Sequence, residues 1–143
     1  METRVTADQV IIAANELLNR VGLLDWNVKV VSDLNAFGRS RNVPLDFPEE
    51  QLYGLTCWAE KFIVLSVSIL DDEEFTRNVV SHETAHAYHG RSEDHHSDEF
   101  GLTWCKFRRM LDKICGVEPD MRPGCVMYVL NPRTQTEQEK QYA

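Results

Sequence analysis

Basic residues are in short supply in this chain: 15 Lys and Arg stand against 23 Asp and Glu, a formal charge of −8 at pH 7. No bulk positive field would draw such a protein to nucleic acid or to an anionic membrane. Arg39 and Arg41, and Lys106, Arg108 and Arg109, are local basic candidates, and a solvated face is the default account of each. Long apolar runs are also missing. Nothing approaches the ~18 residues of a membrane span, and no signal-peptide or lipidation pattern is present, so the expected location is cytoplasmic. The four cysteines (Cys57, Cys105, Cys115 and Cys125) form no C-x-x-C pair, which excludes a zinc ribbon and a thioredoxin-like redox motif. Without a secretory signal reduced thiols are the default, and Cys57 and Cys105 read as small hydrophobes. There is no internal repeat. A length of 143 residues, 43% apolar and 27% charged, suits one domain with one core. That domain is expected to span residues 1–131, with a polar tail at 132–143 that lacks apolar periodicity.

What the chain does have, just past its middle, is His82-Glu83-Thr84-Ala85-His86, the pattern H-E-x-x-H. On a helix, residues four apart share a face, so the two imidazoles project side by side. That spacing suits a tetrahedral Zn²⁺ with nitrogen ligands at ~2.0–2.1 Å. Glu83, one step round, sits beside the ion as a general base for a metal-activated water and then a proton donor to the leaving amine. Asp71 and Asp72 are N-cap candidates, Glu73 and Glu74 place negative charge in the first turn, and Gly90 ends the run. Phe75, Val79, His82 and His86 then fall on one stripe at the helical period.

A catalytic zinc needs three protein ligands and one open position. The next 14 residues offer His89, His95 and His96, with Glu93, Asp94, Asp98 and Glu99 as carboxylate options. Phe100, Trp104, Phe107, Leu111 and Ile114 form an amphipathic helical face. Four residues back from Phe100 lies His96, which points inward with that face and is the expected third ligand; His95 points about a quarter-turn away. His89 follows His86 on the same helix, and three ligands in line along one axis cannot surround an ion. His89 and His95 are therefore read as surface residues.

Elsewhere, Thr6-Ala7-Asp8-Gln9 has the capping-box form, and Ile11, Ala14, Leu17, Leu18 and Val21 give an apolar face that stops near Gly22. Residues 26–31 alternate as a half-buried strand, with Trp26, Val28 and Val30 inward against Asn27 and Lys29. Ser32, Asp33 and Asn35 supply turn chemistry before a second short strand at 37–39. A loop at 42–50, with Pro44 and Pro48, is a candidate border of a substrate cleft. Residues 53–58 and 61–67 read as a hairpin, with Tyr53 and Trp58 as core or pocket aromatics. A last strand is expected at 126–130.

His82-Glu83-x-x-His86-Ala87 followed by His96-Ser97-Asp98-Glu99-Phe100 resembles the SprT-like (Spartan-type) zinc metalloprotease domain. Ala36-Phe37-Gly38-Arg39 is similar to that family's small-residue-Gly-Arg strand. Lys61-Phe62-Ile63-Val64-Leu65-Ser66, followed by Ile69-Leu70, is similar to its segment before the active-site helix. The likeness runs from about residue 17 to residue 114. Ser97 stands where the family usually has Gly, and the family's zinc-ribbon or DNA-binding extension is not found in these residues. The metzincin pattern fits worse, because His89 occupies its Gly position.

The resemblance implies an α+β, zincin-like single domain. A small mixed sheet would be packed by an N-terminal helix, the H-E-x-x-H helix and a helix after the third ligand. It implies a zinc-dependent endopeptidase with His82, His86 and His96 on Zn²⁺ and Glu83 as the base. The substrate is expected to be a protein; DNA-associated proteins enter by resemblance alone and have no support from the net charge. Tyr88, Arg39 and His95 are the oxyanion candidates. Asp94, Asp98 and Glu99 could orient the histidines, the last two serving equally well as first-turn charges. The alternatives are a non-catalytic zinc-stabilised protein-binding module, marked by a fourth protein ligand such as Cys105, and an ImmA/IrrE-like regulatory protease.

Overall fold

The reciprocal bonds of a capping box start the first helix. Thr6 Oγ1 accepts from the Gln9 amide at 3.1 Å, and Gln9 Oε1 accepts from the Thr6 amide at 2.9 Å. In the computed structural model, which describes residues 5–34, 36–37, 53–90 and 98–119, this helix is α1, Ala7–Arg20. Its buried face is Val10, Ala14, Leu17 and Leu18. Ile11 and Val21, expected on that face, are only partly buried, because the helix presents Val10 rather than Ile11 to the core.

Strand β1 (Asn27–Val31) runs parallel to β3 (Phe62–Ser66), which pairs antiparallel with β2 (Gly54–Cys57), giving the order β1-β3-β2. The hairpin joining β2 to β3 turns at Lys61, whose φ of 57° is left-handed. The central strand β3 is buried at every position, and its alternation divides the core. Ile63 and Leu65 face α1 and the other helices; Phe62 and Val64 face a smaller cluster with Leu34 and Leu55.

Two boundaries differ from expectation. Phe37 lies in a helical turn rather than a strand: Asp33 caps it, with Oδ1 accepting from the Ala36 amide and its carbonyl accepting from the Phe37 amide, both at 3.1 Å. Val67 opens a 3₁₀ turn, Val67–Asp71, because the Ser66 hydroxyl accepts from the Ser68 amide and turns the chain out of the sheet.

Helix α2, Glu73–His89, begins at Asp72, whose carboxylate accepts from the Phe75 amide at 3.1 Å, and stops at Gly90 with φ 76°. Phe75, Val79, His82 and His86 are buried as expected, but Asn78, Ser81, Thr84 and Ala85 are buried too. The helix thus has core on every side over 78–87 rather than along one stripe. Helix α3, Asp98–Ile114, buries Phe100, Trp104, Phe107 and Leu111 at the predicted spacing, with Ile114 half-buried.

A buried ionic cluster joins α2 to α3. Asp112 Oδ1 accepts from Arg77 Nε at 2.8 Å and from Arg108 Nε at 3.0 Å, while Arg108 Nη1 donates to Asn78 Oδ1 at 3.0 Å. Arg108, expected on a solvated basic face, is buried because its i,i+4 partner Asp112 sits on the inner side of α3.

The described residues therefore form an α+β unit of three helices and a three-stranded mixed sheet. Among them, no helix is long and apolar enough to cross a membrane. Arg39 and Arg41, the 42–50 loop, Asp94, His95, His96, Cys125, the strand at 126–130 and the tail at 132–143 lie outside the described residues.

Candidate metal centre

The i,i+4 geometry of α2 brings His82 Nε2 and His86 Nε2 to 3.2 Å. Two ligands of a tetrahedral ion at ~2.0–2.1 Å stand ~3.3–3.4 Å apart, so this separation fits a shared divalent cation. The same distance also fits an N–H···N hydrogen bond, which would require a proton on one of the two atoms. Their ring centroids are 4.7 Å apart at 85°. The rings are wedged by aromatic neighbours. Trp104 meets His82 edge-on at 4.5 Å, Phe100 lies 4.4 Å from the His86 ring, and Trp58 Nε1 donates to the His86 carbonyl at 3.0 Å. Trp104 is in turn fixed to α2, its Nε1 lying 3.1 Å from both the Asn78 carbonyl and Ser81 Oγ.

Glu83 is fully buried between α2 and β2. Its Oε1 is 2.9 Å from Thr56 Oγ1, and the same hydroxyl is 3.0 Å from the Glu83 carbonyl oxygen. Its Oε2 makes no hydrogen bond among the described residues and lies 3.7 Å from His82 Nε2. Burial pushes the Glu83 carboxyl up to about 8, against the lowering effect of the Thr56 hydrogen bond. A buried acceptor facing two imidazoles in this way suits a cation, and His82, Glu83 and His86 are the one candidate metal-binding group among the described residues.

Two strand residues make room for this arrangement. Gly54 and Thr56, two apart on β2, both face α2. A Cβ at Gly54 would come within 3.1 Å of Glu83 Cγ and 3.2 Å of Val79 Cγ1. Gly54→Ala is therefore expected to destabilise the protein by about 1–3 kcal/mol in urea titrations and to displace the Glu83 side chain. Sequence reasoning missed both residues, although a glycine within a run of β-formers marks a close approach. Thr56 carried no comparable signal.

The other candidates among the described residues lie outside this three-residue group. His89 is exposed, 2.8 Å from Thr103 Oγ1, and Tyr88 is exposed with its ring against Phe107 and His89. Cys105 is buried but lies outside the three-residue group. Glu99 is exposed in the first turn of α3, where Asp98 is the opening residue. Tyr53 packs edge-on against Phe75, a core contact. A groove of about 480 Å³ between α1, α2 and α3, lined by Val10, Ala14, Arg77 and Leu111, includes none of the three.

An H-E-x-x-H helix laid on a mixed sheet, with its imidazoles converged and a buried carboxylate beside them, has the make-up of a metalloprotease-type domain with a candidate metal site. The SprT-like family model matches residues 27–121, about two thirds of the chain, and the chain belongs to that family. No curated protein and no solved structure matches it.

Proposed function

We propose that this chain is a zinc-dependent endopeptidase of zincin-like build, in which His82, His86 and His96 hold Zn²⁺ and Glu83 is the general base. The observation that carries the reading is the 3.2 Å approach of the two Nε2 atoms beside Glu83 Oε2, a buried acceptor with no hydrogen bond among the described residues. Zinc held by these residues would supply Lewis acidity, lowering the pKa of a water and polarising the scissile carbonyl. His82 and His86 present neutral Nε2 lone pairs, held in orientation by Trp104 and Phe100. Glu83 takes the water proton at Oε2 and returns it to the leaving amine. Strand β2 is the edge of the described sheet beside α2, and an extended substrate is proposed to add along it. Protein substrates, including DNA-associated ones, are the proposed class, and one of Tyr88, Arg39 and His95 is the proposed oxyanion donor.

The test is metal content measured together with cleavage of denatured casein. One zinc per chain, activity lost on chelation and restored by zinc, is the expected result; undiminished cleavage by metal-free protein refutes it. His96→Ala should lower zinc content far more than His95→Ala, and the reverse result moves the third ligand by one position.

A second reading, the non-catalytic zinc-stabilised module, has one observation in its favour: His82, Glu83 and His86 expose at most 1% of their surface. Casein left intact by protein that carries one zinc per chain would favour it.

A further inference from the structure

The two oxygens of the Glu83 carboxyl have different surroundings, and Thr56 makes the difference. Oε1 is 2.9 Å from the Thr56 hydroxyl, while Oε2 has no hydrogen bond among the described residues and lies 3.7 Å from His82 Nε2. The last torsion of a glutamate is soft, so the backbone alone does not decide which oxygen faces the imidazoles. Thr56 is itself well fixed, being buried, β-branched and paired with Ile63 across the sheet; its one hydroxyl proton is shared between Glu83 Oε1 and the Glu83 carbonyl oxygen, 3.0 Å away. Nearer the Glu83 backbone, the missing Cβ of Gly54, on the same strand as Thr56, gives Glu83 Cγ its place.

We infer that Thr56 is a positioning residue whose hydroxyl clamps Glu83 Oε1 and so assigns Oε2 as the oxygen that handles the proton. The inference rests on the proposed role of Glu83 as base. Its effect is orientational: a carboxylate free to turn leaves the productive geometry, and small misplacements of a reacting group reach ~10²-fold in rate.

The test compares Thr56→Val, which keeps the shape and loses the hydroxyl, with Thr56→Ser, which keeps the hydroxyl. With labelled casein, Thr56→Val is expected to lower kcat by about 10–100-fold, with KM within about twofold and zinc content unchanged. Thr56→Ser should stay within about threefold of the wild-type kcat, by retaining the same hydrogen bond. A second readout needs no turnover. In metal-free protein labelled with ¹³C at the glutamate carboxyl, the Glu83 resonance, identified by its loss in Glu83→Gln, should shift in Thr56→Val and lie near its wild-type position in Thr56→Ser. Thr56→Ala carries the same expectation as Thr56→Val if the valine variant does not fold. Wild-type kcat without the hydroxyl, an unmoved resonance, or a serine variant as slow as the valine one overturns the inference. Cleavage lost in Glu83→Gln but kept in Thr56→Val overturns it alone, whereas cleavage kept in Glu83→Gln overturns the parent reading as well.

Discussion

Glu83→Gln is expected to retain its zinc and its fold while losing casein cleavage by at least ~10²–10⁴-fold, the usual contribution of a general base. The amide carbonyl still accepts from Thr56, so the side chain stays in place, but neither end can take a proton from water. The same variant has an expected signature without metal. The folded-state value of the Glu83 carboxyl, about 8, lies above its ordinary 4.5 because of burial. The native state therefore keeps a proton that the unfolded chain releases, and stability of the metal-free protein falls as pH rises from about 4.5 to about 8. The loss is on the order of several kcal/mol. Glu83→Gln should remove that slope, flattening urea midpoints across the interval. Full cleavage by the zinc-loaded variant would refute the assignment of the base, and an unchanged slope would refute the account of its burial.

Asp112→Ala is expected to cost about 3–5 kcal/mol, measured by urea unfolding, because it removes one partner of a buried ionic cluster. Both Arg77 and Arg108 direct their Nε hydrogens at the same Asp112 oxygen, and their side chains are only 12% and 7% exposed. Both guanidiniums lie in the seam between α2 and α3, where Arg108 has Glu74, 3.9 Å away, as a second acidic neighbour. Asp112→Asn, which keeps an oxygen acceptor but not the charge, should lose less. The damage should extend to the proposed zinc site. Arg108 holds Asn78, the Asn78 carbonyl holds Trp104, and Trp104 packs against His82, so zinc affinity should fall in Asp112→Ala although the residue touches no ligand.

Local chemistry explains which features could be read in advance. His82, Glu83 and His86 are legible because helical spacing alone brings them together, and the caps at Thr6 and Asp72 because each acts within three residues. Strand β1 followed from alternation, and β2 and β3 from runs of β-forming residues flanking a short turn. Phe37 misled because Ala36-Phe37-Gly38-Arg39 is similar to a family strand, while the Asp33 side chain three residues before Ala36 closes a helical turn. Arg108 misled because guanidinium burial depends on a partner cluster that includes Arg77 on another helix. Thr56 was out of reach for the same reason, with its contact 27 residues along the chain. Ser81 and Thr84 lie off the expected stripe of α2, yet they satisfy their hydroxyls on the Arg77 and Val80 carbonyls within the helix and so can be buried.

The encasement of α2 over 78–87 bears on how such a protein could diversify. A helix with no wet side offers no neutral positions there, so a saturation scan should score Asn78 and Ser81 as intolerant as His82 for purely architectural reasons. Adjustments to reactivity would then have to come from its walls, through β2 and α3, where a single methyl can be gained or lost without breaking the helix.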